Sequence, residues 1–250
     1  MLAMAVGARY SPRMPAPLLV FDLDGTLVDS APDLLTTLES VLDVHGFRLE
    51  ADDTGLRDGI GHGARHLIEY SLHRQQIALE AGRLDRIHAD FLRHYEENIA
   101  VHTRPYPGLP EALDCFAAEG WSFAVCTNKL EGLSVRLLTE LGLAGRFAAI
   151  CGGDTFPTRK PDPGHLLETI AKAGGTPGNS AMVGDSRTDL DTARAARIAF
   201  IGVSFGYTPV PMADLQPDLL VDSFDGLTPD VAARLLERIA GRFVPARALP

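Results

Sequence analysis

APLLVFDLDGT, residues 16–26, opens as a short unbroken apolar run and closes on two acids, a glycine and a threonine. A run of this length with no polar alternation is the pattern of a central strand buried on both faces of a parallel sheet. Where it ends, at Asp22, polar residues and the turn glycine Gly25 take over, so the chemistry-bearing residues fall at the strand's carboxyl end.

Helical periodicity without strand character follows, over 31–45 (stopped by Gly46), 63–72 and 78–98. After Pro105-Tyr-Pro-Gly108 the pattern alternates. Helices are expected at 110–119, 131–141, 163–173, 189–196 and 229–239, and strands at 121–126, 147–151, 180–183, 199–203 and 218–221. Repeated βα units imply a doubly wound parallel sheet with right-handed crossovers, and the helical block between the first strand and the rest reads as an insertion. The expected fold is α/β, a Rossmann-like core with an inserted helical cap domain. Its limits are a disordered tail over 1–15, a core over 16–29 and 104–250, and a cap over 30–103, with hinges near Ser30 and Thr103.

Composition narrows the partners. The 250 residues are 46% hydrophobic and 22% charged, enough for a large core, and the formal charge of −10 offers no basic stripe for nucleic acid. No run of about 20 apolar residues can span a membrane and no signal-type segment opens the chain, which predicts a cytoplasmic protein. A homo-oligomer is compatible with the sequence but not required by it. Cys115, Cys126 and Cys151 are odd in number, lack metal-type spacing and read as reduced core thiols.

In an open parallel sheet ligands bind beyond the carboxyl ends of the strands. There stand Asp22 and Asp24, Thr127 and Asn128, and Gly184 and Asp185, with Lys160 in a loop on the same side. Two acids two residues apart repel unless a cation stands between them. A divalent ion held by Asp22 and Asp185 would remove that repulsion, and oxygen-only ligation with open water positions suits Mg²⁺. Taken alone, DxDG is as readily an Asp-Gly turn with helix-capping acids, Thr127-Asn128 a strand end, and Lys160 a solvated loop residue. Asp189 in a first helical turn can act on the helix dipole alone, and Asp191 reads as helix surface.

FDLDGTLVDS (21–30), CTNK (126–129), RKPDP (159–163) and GDSRTD (184–189) together resemble, in order and spacing, the four motifs of the haloacid dehalogenase superfamily. The helical insertion resembles that superfamily's cap. RPYPG (104–108), GGDT (152–155) and VSFGY (203–207) extend the resemblance to the bacterial phosphoglycolate phosphatases, over residues 18 to about 227.

This resemblance implies a Mg²⁺-dependent phosphatase acting on 2-phosphoglycolate through an aspartyl phosphate, so the expected partner is a small phosphorylated metabolite. Asp22 would be the nucleophile and Asp24 the acid and then the base. Thr127, Asn128 and Lys160 would bind the phosphoryl oxygens. Asp22, the Asp24 backbone carbonyl and Asp185 would ligate the metal, with Asp189 supporting the metal site. A broader small-metabolite or sugar phosphatase is the alternative, with a phosphoglucomutase-type enzyme or a non-catalytic binding protein behind it. Asp24 argues against dehalogenation, which needs no leaving-group acid, and Thr26 stands where the related mutases usually carry valine. The absence of lysine from 30–103 argues against Schiff-base chemistry by the cap.

Within the cap the glycine-spaced segment 59–65, GIGHGAR, opens a helix, so its amides, with His62 or Arg65, can receive a substrate carboxylate. Equally, those glycines can only shape a loop whose side chains face water. Arg197 follows Ala195-Ala196 where relatives commonly carry glycine, at a helix end suited to the left-handed conformation.

Overall fold

The computed structural model describes residues 16–49 and 54–242; the tail expected over 1–15 lies outside the described residues. Six parallel strands form the sheet: β1 (Leu18–Phe21), β4 (Ser122–Cys126), β5 (Ala149–Cys151), β6 (Ser180–Gly184), β7 (Ala199–Val203) and β8 (Leu219–Val221). Their order is β5-β4-β1-β6-β7-β8. The first strand is thus central, with the winding reversing across it, and ligand sites lie at such switch points.

Alternation along β1 explains why its whole sequence is apolar. Leu19 and Phe21 enter one buried cluster while Leu18 and Val20 enter the other, on the opposite face of the sheet. Helices α4 (Leu109–Ala118), α5 (Glu131–Glu140) and α8 (Pro229–Arg242) contribute to the first cluster. Helices α6 (Pro163–Lys172) and α7 (Arg187–Ala196) cover the second, which completes the three layers.

Between β1 and β4 the chain leaves the core and returns through a two-residue antiparallel clip, β2 (Val28–Asp29) paired with β3 (Arg104–Pro105). The helical insertion lies between these strands: α1 (Ala31–Val44), a 3-10 turn at Thr54–Gly59, α2 (Ala64–Arg74) and α3 (Ala81–Glu97). Leu34, Leu38, Leu67, Ile87 and Phe91 from these helices join the cluster that contains Phe21 and Phe123, so the cap and core share continuous apolar packing. Asp33, buried in the first turn of α1, secures the return crossing by accepting from the His102 and Thr103 amides and from Thr103 Oγ1 at 2.7–3.0 Å.

Helix α3 starts three residues later than its periodicity suggests, because Glu80 approaches it in extended backbone, φ −66° and ψ 145°. One expectation is corrected. Cys126 and Cys151 are buried, but Cys115 is exposed, since α4 turns Leu109, Leu113 and Phe116 inward and leaves position 115 outside that stripe. At the end of α7, Arg197 adopts the left-handed conformation, φ 58° and ψ 38°, as its place in the sequence suggests.

Candidate active site

The carboxyl ends of β1, β4 and β6 bring Asp22, Thr127 and Asp185 to one edge of the sheet, all nearly inaccessible to solvent. Asp22 leaves β1 with its backbone N–H donating to Val183 O on β6, which fixes where the side chain emerges. At Gly25 the chain turns with φ +84°, and a Cβ there would meet Asp185 Oδ2 at 2.5 Å. The turn therefore requires glycine for conformation and for close approach alike.

Lys160, on the loop before α6, places its buried ammonium 2.8 Å from Asp22 Oδ1 and 2.6 Å from Asp189 Oδ1. Its contact to Asp22 lies within ion-pair distance but outside hydrogen-bonding directions, so Asp22 Oδ1 is buried without a hydrogen-bond partner. Asp189 also completes a capping box with Ser186 at the start of α7, so the helix-start role and the place beside the site belong to one side chain. Asp191 is exposed on the same helix.

Opposite Lys160, Asp185 accepts from Thr26 Oγ1 at 2.9 Å and from the Tyr207 amide at 2.8 Å. The Tyr207 hydroxyl in turn donates to Asp29 Oδ1 at 2.7 Å and accepts from the Ala31 amide, so one residue joins this acid to the outgoing crossing.

Asp22, Asp185 and Asp189 each present an oxygen within 4.8 Å of the others. Burial is the main force raising the Asp22 carboxyl above its ordinary range, opposed by Lys160, and it raises Asp185 likewise, reinforced by Asp189. Three buried carboxyls face one ammonium here, a deficit of positive charge that one divalent cation would remove. An Asp22 oxygen that holds an ion pair but no directed hydrogen bond, and a purely carboxylate donor set, fit a hard ion of the Mg²⁺ class.

Asp24 turns elsewhere. Its carboxylate accepts from Ser30 Oγ at 2.5 Å and from Lys129 Nζ at 3.1 and 3.2 Å. Sequence reasoning passed over Lys129, whose ammonium is buried and lies 4.4 Å from the centroid of the Tyr95 ring on α3. A lysine in a strand-end turn reads as surface, and the scarcity of lysine in this chain was the one available signal.

Asn128 bridges the two halves of the site, its Nδ2 donating to Lys160 O at 3.1 Å and to Gly61 O in the cap at 3.4 Å. Between cap and core lies a cavity of about 200 Å³ that reaches Asp22, Asp24, Thr127 and Asn128 and is bounded on the cap side by Gly61–Arg65. His62 stands on its rim, with its pKa lowered by partial burial and then by His66. Arg65 also borders it, but its guanidinium is paired with Asp85 at 2.7 Å and Glu69 at 3.4 Å. Helix α2 is preceded by Gly63, φ 94°, and has no side-chain cap, so no side chain takes its first amides, and Gly63 and Ala64 line the cavity.

Known proteins place this arrangement. Residues 19–203 match the family model described as haloacid dehalogenase-like hydrolase. A phosphoglycolate phosphatase of Mesorhizobium japonicum is 47% identical over 228 residues, covering 91% of this chain and all of that protein. One from Agrobacterium fabrum is 45% identical over 223 residues, 89% of this chain and 95% of its own length. Among solved structures, a predicted phosphoglycolate phosphatase of Haemophilus somnus 129PT superimposes with a TM-score of 0.78 at 30% identity, over 85% of this chain and 96% of that one. With the family model spanning both the sheet edge and the helical insertion, the chain belongs to the haloacid dehalogenase-like hydrolases.

Proposed function

We propose that this phosphoric monoester hydrolase of the haloacid dehalogenase-like family cleaves 2-phosphoglycolate to glycolate and phosphate through an aspartyl phosphate on Asp22. The observation that carries the reading is the cavity itself, which runs from Asp22 and Asp24, with Lys129 in its wall, to Gly63 and Ala64 at the uncapped start of α2. At about 200 Å³ it falls below the roughly 300–1,000 Å³ of sites for drug-sized ligands, which favours a short substrate with an anion at each end. The names carried by the relatives at 45–47% identity point to the same substrate.

In the first step an Asp22 oxygen attacks phosphorus in line, and the bond from phosphorus to the glycolate oxygen breaks as Asp24 delivers its proton to that oxygen. In the second, water attacks phosphorus, Asp24 takes the water's proton, and the Asp22 carboxylate is released with phosphate. Lys160, the Thr127 hydroxyl and the Asn128 backbone N–H supply the donors for charge that spreads over the phosphoryl oxygens. Asp22, Asp185 and the Asp24 carbonyl would hold Mg²⁺, with Asp189 fixing Lys160 beside them; when bound, the ion supplies charge neutralisation at the phosphoryl group. The core would comprise 16–29 with 104–250 and the cap 30–103, the cap shielding the intermediate from bulk water.

The far carboxylate would rest on the amides at the start of α2, with His62 at the rim. Arg65 is set aside as a direct contact because Asp85 and Glu69 already hold it, so Arg65→Ala should change the preference for phosphoglycolate over a neutral ester by less than about threefold. The deciding experiment is phosphate release from 2-phosphoglycolate, p-nitrophenyl phosphate and glucose 1-phosphate, with Mg²⁺ and with chelator. Metal-dependent preference for phosphoglycolate is expected. Even turnover of all three would replace the named substrate with a broad set of phosphate esters.

A further inference from the structure

The reaction leaves one buried charge without a task. Of the three lysines in the chain, Lys160 faces the nucleophile, but Lys129 reaches neither Asp22 nor the three-carboxyl group. It meets both Asp24 oxygens, at 3.1 and 3.2 Å, and the face of Tyr95, 4.4 Å from the ring centroid. The pair is buried on both sides, with side chains 6% and 9% exposed, so solvent screens it little.

The turn that carries Lys129 is held rigidly by the core. Its amide donates to Thr127 Oγ1 and its carbonyl accepts from the Gly153 amide at 2.8 Å. A Cβ at Gly152 would come within 2.5 Å of Lys129 O, and one at Gly153 within 2.7 Å of Asn128 O, so the two loops interlock through bare backbone. Tyr95, by contrast, belongs to α3 in the cap. The ammonium is therefore placed by the core and covered by the cap.

An ammonium has three donors and no acceptor. Two directions are taken by the Asp24 oxygens, and the ring face covers the ion where water would otherwise solvate it. Ser30 alone would leave the carboxyl free to rotate about its single hydroxyl partner. Contact to both oxygens fixes its plane, which matters for a group that must address a leaving oxygen in one step and a water in the next.

We infer that Lys129 is the positioning residue for Asp24, and that Tyr95 makes this positioning depend on a seated cap. The inference rests on the reading of Asp24 as the proton donor, and not on the identity of the substrate. It gives the protein a way to align its acid only when the site is closed.

The test compares leaving groups. A p-nitrophenolate leaves without a proton, whereas the alkoxides of ethyl phosphate and phosphoglycolate need one. Values of kcat/KM cover events up to departure of that group, so a slow second step does not blur them. With Mg²⁺ present, Lys129→Met should lower kcat/KM for both alkyl esters about 10–100-fold more than for p-nitrophenyl phosphate. Tyr95→Leu should show the same selectivity at about two- to fivefold, and Tyr95→Phe, which keeps the ring face over the ammonium, should show less of it than Tyr95→Leu.

Equal losses on all three esters in Tyr95→Leu or Lys129→Met would overturn the inference by making the role merely structural. A loss in Lys129→Met confined to phosphoglycolate would overturn it by making Lys129 a carboxylate contact. Should Lys129→Met not fold, Tyr95→Leu alone decides, because it keeps the ion pair intact. If the parent protein rejects phosphoglycolate yet hydrolyses ethyl phosphate, the substrate reading fails while the alkyl-to-aryl comparison still decides this one.

Discussion

At the sheet edge a single ammonium, Lys160, pairs with Asp22 and Asp189 while Asp185 stands within 4.8 Å of both acids; in the cavity wall Lys129 faces Asp24 alone. Both lysines and all four acids are buried, so the surroundings are alike and the charge balance differs. The Lys129 side is a completed pair, with Ser30 and Tyr95 filling its remaining directions. The Lys160 side is short of positive charge and leaves an Asp22 oxygen with an ion pair but no directed hydrogen bond. A buried site that is electrically complete holds a group in place, and one that is incomplete is built to receive something.

The sharpest way to break this contrast is Asp22→Asn. It should lower turnover by at least about 10⁴-fold, as loss of a nucleophile does elsewhere, while the fold persists. Retained turnover, measured as phosphate release, would remove the reactive role from the Lys160 side. Lys160→Met should lower kcat by roughly 10²–10³-fold, the scale of losing one preorganised charge contact, and should also depress the melting temperature of the metal-free protein, because three carboxyls then share no cation.

A smaller effect separates the two sides by pH. The Asp22 and Asp185 carboxyls are raised in the folded state, so the stability they contribute is fully present below the ordinary carboxylate value of 3.8 and is lost as pH rises through their folded values, about 7 and about 8. The metal-free protein should therefore lose melting temperature across that window. Added Mg²⁺ should raise the melting temperature increasingly toward pH 8.5, and Asp185→Asn should flatten that increase. An Mg²⁺ effect independent of pH would mean that the ion binds away from these acids.

The smallest effect is a control. Arg197 ends the helix whose first turn carries Asp189, in a left-handed conformation that glycine adopts more readily. Arg197→Gly should stabilise the protein by about 0.5–1 kcal/mol in denaturant unfolding, with kcat unchanged. A change in kcat would show that the far end of α7 disturbs the Lys160 side.

Much of this was legible in the chain. The unbroken apolar run before Asp22 and the βα alternation after Gly108 suffice for the sheet, because burial on both faces demands that pattern. The strand-end acids, Thr127, Asn128 and Lys160 were also legible, since a parallel sheet sends its strand ends to one edge. What escaped was partner choice. Asp22 and Asp24 are two residues apart, yet the bend at Leu23 between them sends one toward Lys160 and the other toward Lys129, 31 positions earlier in the chain. Arg65 looked available as a cation because Asp85 is remote in sequence and reaches it only through the packing of α2 on α3. The clip of β2 and β3 was equally hidden, for two-residue strands carry no periodicity.

That clip bears on how the chain assembles. Leu18 must find Ser122 as its neighbour in the sheet, across about a hundred residues of intervening chain. Pairing of Val28 with Pro105 beforehand short-circuits the insertion and leaves about 27 residues to close, roughly two halvings of the loop and about 1 kcal/mol less entropy to lose. An early contact there would let the central strand meet its partner at the rate of a much smaller protein.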